Sequence, residues 1–94
     1  MQSRRAAPTE ADIQDWCCRY LARALKLNAE QINCEASFAS LGLDSAEALF
    51  LVSALEDWSG IELESAAAYD NPSVAALSRF VAGRIKALAS GSSS

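Results

Sequence analysis

The sequence predicts an all-α protein: a small four-helix bundle with three long helices, one short helix and a long loop between helices one and two. Three segments place apolar residues at the spacing of an amphipathic helix, and no segment alternates apolar and polar residues as a strand does. With 94 residues, of which 51% are hydrophobic, the chain can build one packed core. These observations favour a helical bundle over a sheet-containing fold.

The first predicted helix covers residues 10 to 26 and follows a flexible lead at residues 1 to 8. Thr9 is the expected N-cap, with Asp12 three residues later as in a capping box. The apolar residues then form one helical stripe: Ile13, Trp16, Cys17, Tyr20, Leu21, Ala24 and Leu25. Cys17 lies on this stripe, so we expect it in the core as a small hydrophobic residue.

The long loop spans residues 27 to 43. A connection of more than about 12 residues in a compact domain is usually functional or disordered. Regularly placed apolar residues favour a packed loop with a helical turn near residues 30 to 32, and the expected anchors are Leu27, Ile32, Phe38, Leu41 and Leu43. Gly42 provides backbone freedom just before the next helix.

The second predicted helix covers residues 45 to 58 and ends at Gly60. Its expected core-facing residues are Leu49, Val52, Leu55 and Leu51. Phe50 falls beside this stripe. It either is exposed, as a hydrophobic contact for a partner, or packs on the long loop.

A short helix is predicted at residues 64 to 69, and the last helix follows it. Asn71 and Pro72 form the expected N-cap and N1 pair of the last helix. The core stripe of this helix is Val74, Leu77, Val81, Ile85 and Leu88, with Phe80 beside it. The folded domain is therefore expected at residues 9 to 89, and the serine-rich residues 90 to 94 form a flexible tail.

The composition excludes several classes of function. All eight basic residues lie at or before Lys26 or at or after Arg79, while residues 27 to 78 contain nine acidic residues and no basic one. A nucleic-acid-binding protein needs the opposite charge, so an acidic middle favours basic protein partners or, equally, a plain solvated face. No apolar run of about 20 residues is present, and no secretory signal is recognisable, so we expect a cytoplasmic protein without a membrane span.

Cysteine and histidine usage argues against a disulfide framework, a metal centre and a histidine base. The three cysteines are an odd number without CxxC spacing, and the chain contains no histidine. We therefore expect no catalytic residue and no metal ligand in this protein.

The dipeptide Asp44–Ser45 is the candidate functional feature. If Asp44 is the N-cap of helix two, Glu47 lies at N3, and the Ser45 hydroxyl at N1 is left exposed and free of capping duty. An exposed serine without a base is a poor nucleophile on its own but a good modification site. The alternative is that Ser45 simply begins a helix.

The segments LGLDSAEALFLVSALEDWSGIEL and AAAYDNPSVAALSRFVA resemble the two characteristic regions of acyl carrier proteins. The first matches the Gly-x-Asp-Ser attachment motif, and the second matches the Tyr-Asp-x-Pro-Ser opening of the last helix. By this resemblance, Ser45 would carry 4′-phosphopantetheine, delivered from coenzyme A by a phosphopantetheinyl transferase with Mg²⁺. The terminal thiol of the arm would hold acyl groups as thioesters, and Asp44 would add transferase recognition to its role as helix cap.

The resemblance also implies a set of contacts with partner enzymes. The residues expected there are Leu43, Ala46, Glu47, Phe50, Glu56 and Asp57. Ala46 departs from the leucine or methionine that the family commonly has after the serine, which implies an altered partner contact. Phe50 replaces a residue that is often polar.

The segment LEDWSG followed by YDNPS is similar to carriers of polyketide synthases, and Trp58 is similar to carriers loaded by fatty acyl-AMP ligases. The implied partners are the transferase, an acyl-loading enzyme (an acyltransferase or an acyl-AMP ligase) and a ketosynthase or other synthase domain, with the carrier itself a monomer. Two alternatives remain open: a peptidyl or aryl carrier of a nonribosomal peptide synthetase, and an unmodified helical interaction module.

Overall fold

The computed structural model describes residues 7–91, with side chains for residues 7–89, and it consists of four α-helices and one 3-10 turn. The helices are α1 (Glu10–Leu25), α2 (Ser45–Ser59), α3 (Ala67–Asp70) and α4 (Val74–Gly91), and the 3-10 turn is Ala29–Gln31. Residues 7–91 contain no β-strand, only one isolated bridge between Ser37 and Ser73. The predicted all-α fold is therefore confirmed, including the long connection between the first two long helices, residues 26–44, here called the crossover loop.

Helix α1 begins at the predicted capping box. The Thr9 hydroxyl accepts a hydrogen bond from the Asp12 N–H at 3.1 Å, and the Asp12 carboxylate accepts one from the Thr9 N–H at 3.0 Å. The helix ends at Leu25, one residue before the predicted end. Lys26 has φ 60° and therefore leaves the helix in the left-handed region, where its N–H donates to the Ala22 carbonyl.

The core lies mainly where α1 and α4 pack along each other, with α2 against α1 and the short α3 on α2. Its fully buried side chains are Ile13, Cys17, Leu21, Leu51, Leu55, Val74, Leu77, Ser78 and Val81. Cys17 thus occupies the predicted core position. Burial, with a smaller effect from the neighbouring Cys18, raises the pKa of Cys17 to about 12, so the thiol is neutral at physiological pH.

The predicted inner face of α2 was wrong at one position. Leu49 is 38% exposed, and the smaller Ala48 is buried in its place. Ala48, Leu51, Val52 and Leu55 follow the three- and four-residue spacing of a single stripe, whereas Leu49 lies about 100° away from Ala48 around the helix. The position of a residue around the helix, and not the size of its side chain, therefore decides which residue is buried here.

Two other predicted anchors are exposed. Leu27 is 41% exposed just after the left-handed residue Lys26, and Leu88 is 51% exposed near the end of α4. The remaining loop anchors face inward as predicted: Ile32, Phe38 and Leu43 are buried, and Leu41 packs against the core.

The predicted start of the last helix was also wrong. Ser73 takes the capping role, because its hydroxyl accepts a hydrogen bond from the Ala76 N–H at 3.1 Å. Asn71 instead follows α3, where its N–H and its side-chain amide both donate to the Ala67 carbonyl, the amide at 3.0 Å. Helix α3 itself is shorter and later than the predicted residues 64 to 69.

The ends of the chain fall partly outside the described residues. Residues 1–6 of the predicted lead and residues 92–94 of the predicted tail are not described. Helix α4 continues to Gly91, two residues into the segment that was predicted to be a flexible tail. No helix within residues 7–91 combines the length and the hydropathy needed to cross a membrane.

Candidate functional site

The crossover loop fixes the position at which α2 begins. The Phe38 N–H donates to the Pro72 carbonyl at 2.7 Å, which ties the loop to the segment just before α4. The Phe38 carbonyl in turn accepts the N–H groups of Leu41 and Leu43, at 3.1 and 3.0 Å. Gly42 completes this tight turn with φ 99°, a conformation that favours glycine. Backbone hydrogen bonds to Phe38 thus hold the last residues of the loop, and the side chain of Phe38 is itself buried in the core.

Asp44 and Glu47 cap α2 reciprocally. The Asp44 carboxylate accepts a hydrogen bond from the Glu47 N–H at 2.8 Å, and the Glu47 carboxylate accepts one from the Asp44 N–H at 3.1 Å. Asp44 has extended backbone angles, as an N-cap residue requires. The two carboxylates lie at the positive end of the helix dipole, which stabilises the start of α2.

Ser45 is the first residue of α2 and is exposed. Since Asp44 and Glu47 satisfy the cap, the hydroxyl of Ser45 is not used to start the helix, and no hydrogen bond holds it within the described part of the chain. The chain has no histidine that could act as its base. The site therefore presents an exposed hydroxyl at a loop–helix junction that is fixed by backbone and capping hydrogen bonds.

The residues expected to contact partners divide into two groups. Ala46, Phe50 and Asp57 are exposed, with Phe50 at 64%, so Phe50 does not pack on the crossover loop. Leu43 is 8% exposed and packs into the core, as expected of a loop anchor, so its side chain adds little to this exposed surface.

Glu47 and Glu56 are partly buried and have roles within the fold. Glu47 belongs to the cap, and the Glu56 carboxylate accepts a hydrogen bond from the Leu63 N–H at 2.8 Å. Glu56 therefore fixes the segment that leaves α2.

Two contacts between residues that are far apart in sequence were not predicted from the sequence. Trp16 of α1 stacks on Trp58 at the end of α2, with ring centroids 5.2 Å apart, and thereby joins the two helices. The sulfur atoms of Cys18 and Cys34 lie 3.4 Å apart. Both pairs are distant in sequence, and no local spacing pattern indicates them.

Replacement of Asp44 by alanine is expected to lower the free energy of unfolding by about 1 kcal/mol, because the Glu47 N–H loses its acceptor. Urea denaturation followed by circular dichroism measures this change. Asp44→Asn keeps a side-chain acceptor and should recover most of the loss, while Asp57→Ala, an exposed acid on the same helix, should leave the free energy nearly unchanged. Equal free energies of unfolding for Asp44→Ala and the unsubstituted chain would contradict the capping role.

A family model described as a phosphopantetheine attachment site matches residues 15–81. The chain is 34% identical over 76 residues to the acyl carrier protein TtuC of Teredinibacter turnerae. The aligned residues make up 81% of this chain and 87% of that protein. It is also 29% identical over 80 residues to the non-reducing polyketide synthase nscA of Trichophyton equinum, covering 85% of this chain but 4% of that synthase. The region that the family model matches includes the crossover loop and all of α2.

Solved structures share the same fold. An acyl carrier protein from Anabaena sp. PCC 7120 with a variant phosphopantetheinylation-site sequence is 31% identical with a TM-score of 0.76, over 88% of this chain and 93% of that one. A free-standing peptidyl carrier protein from a secondary metabolic pathway of Acinetobacter baumannii is 28% identical with the same TM-score of 0.76, over 82% of this chain and 96% of that one.

Proposed function

Because the chain belongs to the phosphopantetheine-binding family of acyl carrier proteins, we propose that it carries acyl intermediates of a polyketide-type pathway. The cofactor of this family is a covalently attached 4′-phosphopantetheine arm. On this proposal the arm is attached to Ser45 and holds each acyl group as a thioester. The observation that supports this assignment is the exposed Ser45 hydroxyl beside a cap formed by other residues. Similarity to an acyl carrier protein and to a polyketide synthase favours an acyl cargo.

The residues around Ser45 fit an ester-linked phosphate. Its negative charge would lie beside the first backbone N–H groups of a 15-residue helix, where the helix dipole favours an anion. The arm supplies a terminal thiol that holds the acyl group. The contribution of the chain is to place the hydroxyl, through the Phe38 hydrogen bonds and the Asp44–Glu47 cap, where a transferase can reach it. On this proposal the carrier domain, residues 9 to 89, is not itself a catalyst.

The surface beside Ser45 is the proposed docking region for partner enzymes. It presents the small Ala46, the exposed ring of Phe50 and, further along α2, the carboxylate of Asp57. A ring that is 64% exposed gives a partner apolar contact area, and the acidic middle of the chain favours enzymes with basic surfaces. Asp44 is the proposed additional contact for the transferase. The other partners are an acyltransferase or acyl-AMP ligase and a ketosynthase, all meeting a monomeric carrier in the cytoplasm.

The second candidate function is a peptidyl or aryl carrier, with the same arm but an amino-acid or aryl cargo. It is supported by the 28% identity to a free-standing peptidyl carrier protein, which is close to the identities of the acyl carriers. Both cargoes would be attached to the same arm, so the loading enzyme distinguishes the two functions.

Loading assays test the proposal. The chain is first incubated with coenzyme A, Mg²⁺ and a broad-specificity transferase, and the intact mass is expected to increase by one phosphopantetheinyl group. The product is then offered to an acyltransferase with acyl-coenzyme A, to an acyl-AMP ligase with fatty acid and ATP, and to amino-acid-adenylating enzymes with ATP. We expect a further mass increase with an acyl-loading enzyme.

Loading by the amino-acid-adenylating enzymes, without loading by the acyltransferase or the acyl-AMP ligase, would favour the peptidyl carrier. A chain that stays unmodified while the transferase modifies a reference carrier would favour the helical interaction module.

A further inference from the structure

Cys18 and Cys34 bring two thiols together from different parts of the fold. Cys18 lies within α1 and Cys34 in the crossover loop, yet their sulfur atoms are 3.4 Å apart. Cys18 is 9% exposed, whereas Cys34 is partly buried and is the more exposed of the two. The third cysteine, Cys17, is fully buried, and adjacent residues on a helix point about 100° apart, so Cys17 faces a different part of the core.

The backbone holds both thiols in place. The carbonyl of Cys34 accepts a hydrogen bond from the Ala75 N–H at 2.9 Å, which fastens this part of the loop to the first turn of α4. Just after Cys34, the Glu35 N–H donates to the Asn33 side chain at 3.0 Å and fixes the local turn. Cys18 is seven residues from the end of α1 and cannot move without the helix. The two thiols therefore meet because of the fold.

We propose that Cys18 and Cys34 are a reversible disulfide modification site that joins α1 to the crossover loop. The separation of 3.4 Å must shorten to the S–S bond length of about 2.05 Å. Rotation of the two side chains provides a movement of this size more readily than displacement of the anchored backbone.

The oxidant is a small-molecule disulfide such as oxidised glutathione. The Cys34 sulfur, after losing its proton, attacks one glutathione sulfur, so that a mixed disulfide forms and one glutathione thiol leaves. The Cys18 sulfur then attacks the Cys34 sulfur, the protein disulfide forms, and a second glutathione thiol leaves. Both protons of the protein thiols end on the two glutathione molecules, and excess reduced glutathione reverses the steps.

Accessibility sets the order of these two steps. Burial, together with the neighbouring Cys34, raises the pKa of Cys18 well above its usual value, so this thiol is a poor first nucleophile. Cys34 is the more exposed partner and reacts first. The disulfide would close a loop between positions 16 residues apart and would hold the crossover loop, which positions the start of α2, against α1.

Thiol counting tests the proposal. The full chain is equilibrated in glutathione buffers of rising oxidised fraction, quenched with acid, alkylated with N-ethylmaleimide under denaturing conditions and weighed. The reduced chain has three alkylatable cysteines, and we expect one after oxidation. The thiol of an attached arm adds one to the reduced count, and in the oxidised sample it is recognised as a separate glutathione adduct that the Ser45→Ala chain lacks. Trypsin leaves Cys17 and Cys18 on one peptide, because no lysine or arginine separates them, so variants must assign the bond.

Cys18→Ala and Cys34→Ala should both lose the disulfide, and Cys17→Ala, the matched control, which keeps the core apolar, should retain it. The oxidised chain should melt roughly 10 °C or more above the reduced chain, and a reductant should remove this difference. Loss of the disulfide in a folded Cys17→Ala chain, accumulation of only a glutathione adduct on Cys34, or a lower melting temperature after oxidation would each overturn the proposal.

Discussion

Replacement of Ser45 by alanine is expected to abolish phosphopantetheine attachment completely. The exposed hydroxyl at the start of α2 is the only atom of this residue that can form the phosphodiester, and alanine removes it without changing the backbone. Intact mass spectrometry after incubation with coenzyme A, Mg²⁺ and a transferase measures the result. The unsubstituted chain should gain one phosphopantetheinyl group, and Ser45→Ala should gain none.

The matched control is Ser53→Ala. Ser53 is also an exposed serine on α2, but it lies eight residues from Ser45 and away from the loop–helix junction, so its loss should leave attachment unchanged. Ser45→Ala should also keep its stability to within about 0.5 kcal/mol, because Asp44 and Glu47 form the cap. Modification of a folded Ser45→Ala chain at another residue would contradict the assignment.

The sequence predicted those parts of the fold that depend on neighbours three or four residues apart. The capping box of Thr9 and Asp12 and the cap that places Ser45 at N1 are local patterns, and both are present in the structure. The same holds for Gly60, which ends α2 with φ 78°. Such features are predictable because one or two side chains satisfy the free backbone groups of a helix end.

Features that depend on tertiary contacts were predicted less well. Asn71 and Pro72 have the composition of a helix start, but the backbone hydrogen bond from Phe38 to Pro72 and the bridge at Ser73 extend the loop by two residues before α4 begins. At the candidate site, the same limit applies to Phe50. The sequence left open whether its ring is exposed or packs on the crossover loop, and only the tertiary structure shows that it is 64% exposed.

Replacement of Leu55 by alanine is expected to lower the free energy of unfolding by about 2–5 kcal/mol. Leu55 is fully buried on the stripe of α2 that packs into the core, and its truncation removes apolar contacts and leaves a cavity. Domains of this size are stabilised by only about 5–15 kcal/mol, so the change is a large share of the total. Urea denaturation at constant temperature measures it.

Leu49→Ala is the matched control, because it makes the same chemical change six residues earlier on the same helix. Leu49 is 38% exposed, so its truncation should cost less than about 1 kcal/mol, and alanine is the better helix former. The pair therefore tests which face of α2 is buried. A large loss at Leu49 with a small loss at Leu55 would reverse the face and would turn Ser45, on the same helix, toward a different side of the bundle. A larger loss at Leu55 than at Leu49 would support both the position of the core and the outward orientation of the attachment site.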